Sequence, residues 1–259
     1  MRSLINIWKR VVIILVLALN LGSTAEGGQT KPGLMIYCGT TMIRPMNDLA
    51  RLFEQRENVK IYFVQGGSKD LYKSATKSQL GDLYLPGEAS FRHNNLKDGF
   101  LGEYRLVGYN RLALMVQEGN PKKVQPDPHQ LLRKDLQILL SGSDTCSSGL
   151  ASKRMLTEMK IYDNLLKKAV MVLPDSRAIA ASMRRGEADA VITWRGTMLF
   201  ADNRKKFEMI ELPDPWGEPQ ELLLNLFTFS KQQPLARKFM DLAAGPEGKA
   251  IFAHYGFGK

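Results

Sequence analysis

Short apolar runs alternate along the chain with segments whose apolar residues recur every three or four positions. Leu34 to Tyr37 is a run of the first kind. After the turn Cys38-Gly39-Thr40-Thr41, Met42, Met46, Leu49 and Phe53 fall on one face of a helix. The same reading predicts strands over 33–37, 59–64, 82–85, 109–116, 136–139, 169–172, 190–194, 207–212 and 221–229. Helices are predicted over 42–55, 69–78, 149–159, 161–168, 177–185, 234–243 and 247–254. Such alternation points to an α/β fold with mainly parallel sheets flanked by helices. The proline-rich stretch 121–128 and the loop 213–219, which carries Trp216, read as connectors.

Four strand-to-helix turns end in a hydroxyl. They are Thr40-Thr41 before Met42, Gly66-Gly67-Ser68 before Lys69, Ser147-Ser148 before Gly149, and Asp175-Ser176 before Arg177. One reading is helix capping, in which the hydroxyl accepts a bond from an N–H one turn on. The other is a ligand site, because a helix start offers unpaired N–H groups and partial positive charge to an anion. In open α/β sheets ligands bind at these strand ends.

The first 25 residues change the picture of where the chain works. Arg2, Lys9 and Arg10 precede the apolar stretch 11–21, and Ser23-Thr24-Ala25 fits a small-x-small cleavage site, the pattern of a secretory signal peptide. Removing it takes away three basic and no acidic residues, lowering the net charge from +10 to +7. That balance suits an anionic partner. The basic pairs, Lys153-Arg154 and Arg184-Arg185 among them, are scattered and read as solvated helix faces, so no nucleic acid is expected. Cys38 and Cys146 are the only cysteines, too few for a disulfide scaffold, and their pairing stays open.

Little in the sequence suggests catalysis. Ser74-Ala75-Thr76-Lys77 matches a Ser-x-x-Lys hydrolase pattern, but no Lys-Thr-Gly or Ser-Asp-Asn partner follows. His93, His129 and His254 have no metal-ligand spacing with the cysteines, and neither a Walker loop nor a dinucleotide glycine fingerprint is present. No enzyme, no resident cofactor and no protein-ligated metal are expected.

Four segments together resemble the periplasmic molybdate-binding proteins of ABC importers, within the type II solute-binding proteins. They are "IYCGTTMIRPMNDLARLFEQ", "FVQGGSKDL" with "GDLYLPGE", "SRAIAASMRRGEADAVITW" and "GPEGKAIFAHYGF", and the resemblance spans residues 34–257. It implies two α/β lobes, lobe one over 30–107 and 213–259 and lobe two over 108–212, closing by hinge motion on a ligand held between them. Carried across by position, the ligand-binding residues are Thr41, Ser68, Ser148, Ser176 and Trp194, with Thr40, Ser147 and Arg195 as further candidates. The implied ligand is a small tetrahedral oxyanion, molybdate or tungstate first and sulfate-like anions next. The implied partner is the membrane permease of an ABC importer, and the implied setting is a monomer in the periplasm.

The chain also departs from that family. Trp194 stands where the family has a ligand tyrosine, and its indole donates from a different place than a phenol. Arg195 follows it and would clamp an anion if it turned into the cleft. "CSSG" replaces a proline and a small apolar residue in lobe two, so Cys38 and Cys146 are expected to flank the pocket from opposite lobes. The alternative reading is the binding lobe pair of a sensor or adaptor system for another oxyanion or a small carboxylate.

Overall fold

The computed structural model describes residues 33–199 and 206–259; the signal peptide expected over 1–25 lies outside them. The chain runs β1 (Gly33–Gly39), α1 (Ile43–Glu57), β2 (Lys60–Gly66), α2 (Ser68–Ser78), β3 (Leu83–Leu85), α3 (Ser90–Asn95) and β4 (Leu101–Asn110). It continues through β5 (Leu112–Gln117), β6 (Ile138–Ser141), α4 (Ser147–Glu158), α5 (Tyr162–Lys168), β7 (Met171–Leu173), α6 (Ser176–Arg184), β8 (Ala190–Trp194) and β9 (Phe207–Glu211). It then returns with β10 (Gln220–Phe227), α7 (Gln233–Ala244) and α8 (Pro246–His254).

The strands form two five-stranded sheets, ordered β2-β1-β3-β10-β4 in lobe one and β7-β6-β8-β5-β9 in lobe two. Each sheet is mixed rather than mainly parallel. The β1, β2 and β3 group and the β6, β7 and β8 group are parallel. The strands beyond them pair antiparallel. The reason is the crossing: β4 and β5 leave one sheet for the other, and β9 and β10 come back.

The predicted strand 109–116 is in fact the end of β4 and all of β5, parted at Arg111. Asn110 turns the chain there. Its side-chain oxygen accepts the Arg111 N–H at 3.2 Å while its amide donates to the Gly87 carbonyl at 3.3 Å. The earlier part of β4 escapes the hydropathy pattern because it carries charges with distant partners. Glu103 bonds Arg237 at 2.5 Å, and Arg105 bonds Asp241 at 2.9 Å, both on α7. The six-residue α3 is too short for a helical period to register.

Both faces of each sheet are covered, which explains why the inner strands are largely apolar, as in β8, whose five residues are all buried with Thr193 the one polar member. In lobe one, α1, α7 and α8 cover one face through Met46, Leu49, Phe53, Phe239 and Phe252. On its other face Leu71, Tyr72 and Phe91 pack with Tyr84 and Phe227. Lobe two buries Met155, Leu156 and Leu165 on one face and Ile179 and Met183 on the other. Helix α1 ends at Asn58, whose left-handed conformation (φ 51°) stops the helix as an asparagine readily does.

The C-terminal Tyr-Gly-Phe reaches both lobes. The Phe257 carbonyl accepts the Tyr109 N–H at 2.8 Å. An added Cβ at Gly108 of β4 would lie 2.8 Å from that carbonyl oxygen, and one at Gly196, just past β8, would lie 2.7 Å from the Phe257 ring. Glycine at both positions lets the buried ring sit between the crossing strand and lobe two.

Phe239 is fully buried, edge-on to Phe53 with ring centroids 5.2 Å apart. Phe239→Ala is expected to cost about 3–5 kcal/mol of stability in urea unfolding, from lost burial and the cavity left behind.

Candidate functional site

All four hydroxyl turns lie at the C-terminal ends of parallel strands: β1 leads to Thr40 and Thr41, β2 to Ser68, β6 to Ser147 and Ser148, and β7 to Ser176. The lobes bring these ends face to face. The 3-10 turn Thr40–Met42 touches α6 and the turn Arg195–Leu199 of lobe two. An added Cβ at Gly196 would lie 3.4 Å from the Thr41 Cβ. Across the same seam, the Lys69 N–H of α2 donates to the Thr145 carbonyl at 3.4 Å, and Leu150 of α4 packs on the aromatic cluster of lobe one.

Two glycines permit this approach. A Cβ at Gly67 would stand 2.3 Å from the Thr145 carbonyl oxygen, and a Cβ at Gly87 would stand 2.0 Å from Ser147 Oγ and 3.0 Å from Trp194 Nε1. Gly67 has ordinary extended dihedrals (φ −69°, ψ 142°), so its requirement is space across the lobe interface and not backbone freedom.

The hydroxyls are not the helix caps. The N-cap positions of α2, α4 and α6 fall to Gly67, Cys146 and Asp175, one residue before each predicted hydroxyl pair or single hydroxyl. Asp175 does the capping in α6, its carboxylate accepting the N–H groups of Arg177 and Ala178 at 2.8 and 2.9 Å. At α4 no side chain caps the helix, and the Cys146 thiol instead lies 3.5 Å from the Gly142 carbonyl.

The hydroxyls bond elsewhere. Ser68 Oγ accepts the Gly87 N–H at 3.1 Å. Ser147 Oγ accepts the Trp194 Nε1–H at 2.8 Å. Thr41 Oγ1 donates to the Met42 sulfur at 2.9 Å, a weak acceptor. Thr40 Oγ1 donates to the Gly66 carbonyl at 3.3 Å, and Ser148 Oγ lies 3.4 Å from the Cys146 sulfur. Thr40, Thr41, Ser68, Ser147, Ser148, Ser176 and Trp194 are all buried at this seam.

Arg195 does not join them. It opens the turn after β8, where its Nη1 pairs with Glu211 at 3.3 Å and its Nη2 donates to the Gly256 carbonyl. It ties lobe two to the C-terminal segment and does not clamp the cleft. Trp194 stays at the seam, but most of its indole packs in the lobe-two core, and only the Nε1–H edge faces Ser147 and Gly87.

Cys38 and Cys146 are both free and buried. Burial pushes both thiols above their usual range, the Cys38 thiol furthest. Among the described residues no group of three or more His, Cys, Asp or Glu is placed to hold a metal ion. Ser74 and Lys77 lie on the exposed side of α2.

Residues without a chemical signature are the ones that sequence patterns miss. Gly67 and Gly87 matter for what they lack. Arg154 belongs to a basic pair expected on a solvated face, yet it bonds Glu88 of lobe one at 2.6 and 3.0 Å. The "LPGE" segment after β3 held the signal for Gly87 and Glu88, since a buried carboxylate demands a partner.

Two outcomes follow from this geometry. Gly67→Ala is expected to fold normally but to hold the lobes apart, raising the radius of gyration in small-angle scattering. Ellman's reagent is expected to leave both thiols of the native protein unmodified at pH 8 and to titrate both after guanidinium unfolding, because buried thiols give little thiolate.

The sequence matches the family model for bacterial extracellular solute-binding proteins over residues 34–258. No curated protein matches it by sequence. Among solved structures, the Azotobacter vinelandii periplasmic molybdate-binding protein is similar at 17% identity and a TM-score of 0.74, covering 86% of this chain and 98% of that one. The sulfate-binding protein SubI from Mycobacterium tuberculosis is similar at 14% identity and a TM-score of 0.77, covering 87% and 86%. A periplasmic thiamin binding protein is similar at 16% identity and a TM-score of 0.76, covering 89% and 84%. The chain therefore belongs to the bacterial extracellular solute-binding proteins, with the two-lobed fold of the type II periplasmic binding proteins.

Proposed function

We propose that this protein captures a small, fully ionised tetrahedral oxyanion between its lobes and delivers it to the permease of an ABC importer from the periplasm. Molybdate and tungstate lead the ligand order, and sulfate follows. The observation that carries this reading is the polarity of the seam hydroxyls. Ser68 Oγ and Ser147 Oγ each accept a bond, from Gly87 and Trp194, which leaves each hydroxyl proton free to donate to a ligand.

The carbonyls around the seam are engaged in turn. Gly66 O accepts Thr40 Oγ1, Pro174 O accepts Thr145 Oγ1 at 2.9 Å, and Thr145 O accepts the Lys69 N–H. Uncommitted hydroxyl protons on Ser68 and Ser147, set among committed carbonyls, suit a ligand that only accepts. Phosphate near neutral pH carries a proton that needs an acceptor, and is placed below the other anions. The solved relatives named above bind molybdate, sulfate and thiamin according to their descriptions, so the fold alone leaves the ligand to these side chains.

A thermal-shift series on the mature chain tests the reading, since a ligand that binds only the folded state raises the melting temperature by mass action. Molybdate, tungstate and sulfate are expected to raise it, phosphate less. Silence from every tetrahedral oxyanion would overturn the proposal. Thr41→Val and Ser68→Ala are each expected to weaken binding of the best anion by about 1–3 kcal/mol in calorimetric titration, the usual worth of a hydrogen bond to a charged group.

A further inference from the structure

We infer that Glu88 and Arg154 form an electrostatic lock that holds the lobes closed, outside the candidate ligand pocket. The inference rests on the lobes parting to admit a solute, and not on which solute that is.

Glu88 follows Gly87 in the loop after β3 of lobe one; Arg154 lies on α4 of lobe two. The two meet as a fork, with Nη1 to Oε1 at 3.0 Å and Nη2 to Oε2 at 2.6 Å. Ser90 Oγ adds a bond to Oε1 at 2.8 Å from lobe one's own side. The carboxylate is only 1% exposed while the guanidinium side chain is 48% exposed. Burial is therefore one-sided. Lobe one carries a carboxylate sealed from water in the closed state, and its partner cation comes from the other lobe.

A buried, unpaired carboxylate is strongly unfavourable, whereas two apolar or neutral residues in place of a buried pair are often tolerated. Without Arg154, Glu88 regains hydration only if the lobes separate. The pair thus works in two senses. Closure is favoured while the fork is intact, and it is opposed by Glu88 alone when the fork is lost. Arg154 has room to withdraw, because it borders a cavity of about 250 Å³ between α4 and the returning crossing loop, lined also by Met155, Trp216 and Glu218. The Glu88 hydrogen bond also holds the Arg154 guanidinium more firmly charged than usual. The lock adjoins the Gly87 contact with Ser147 and Trp194, so closing of the pocket and closing of the lock occur at one seam.

The test is a pulsed electron-electron distance measurement on the mature chain, spin-labelled at Lys77→Cys on α2 and Lys167→Cys on α5, both exposed positions. The buried native thiols resist labelling. Spectra are taken first with no added anion. Arg154→Met is expected to shift the distribution to longer distances, and Glu88→Gln/Arg154→Met to bring it back toward the wild-type distribution. Arg154→Lys, which keeps the charge and loses the fork, is expected to fall between, and it decides the matter if Arg154→Met does not fold. An Arg154→Met distribution identical to wild type, or a double variant as open as the single one, would overturn the lock. Molybdate is then added to each variant. A response to Arg154→Met, with no tetrahedral oxyanion raising the melting temperature, leaves the lock standing and removes the oxyanion reading.

Discussion

At Gly67 and Gly87 the two lobes come so close that no side chain fits between them. Everything proposed for the site depends on this contact. It sets the hydroxyl ends of β1 and β2 opposite those of β6 and β7, and it lets Trp194 reach Ser147 beside the Gly87 backbone. It also seals Glu88 from water. Each sheet has its own main hydrophobic core, with Leu150 of lobe two reaching into an aromatic cluster of lobe one. The contact between the lobes is made of a few polar contacts and one aromatic edge.

The seam contains both signs of charge. Asp175 caps α6 and Glu88 is buried nearby, each beside groups expected to welcome an anion. Both carboxylates are committed to partners that neutralise or delocalise their charge, two backbone N–H groups in one case and a forked guanidinium in the other. An acidic residue close to an anion site is compatible with binding when its own field is spent on a fixed neighbour.

Much of the fold was legible in the sequence. Helix α1 declares itself by Met46, Leu49 and Phe53 on one face, and β8 by Ala190, Val191, Ile192 and Trp194 around the single polar Thr193. The four hydroxyl turns were legible too, because strand, small residue and hydroxyl follow one another directly. The change of sheet at Arg111 was hidden, since one apolar run serves both lobes and hydropathy does not record which strand a strand pairs with. The mixed character of the sheets was hidden for the same reason. The destination of Arg195 stayed open because it depends on how the chain turns just past Trp194, and its contacts with Glu211 and Gly256 are long-range. The actual caps, Gly67, Cys146 and Asp175, sit one residue earlier than the hydroxyls, a shift that residue types alone do not reveal.

Phe257 gives the chain's last segment an unexpected part in the machine. Its ring and carbonyl lie against Gly108 on the crossing strand and Gly196 in lobe two, and Gly256 is held by Arg195. The segment is thus a wedge at the back of the jaw, reporting the posture of one lobe to the other. A reporter domain fused directly behind Lys259 would sit two residues from a contact that spans both lobes, which disfavours this end for surface immobilisation.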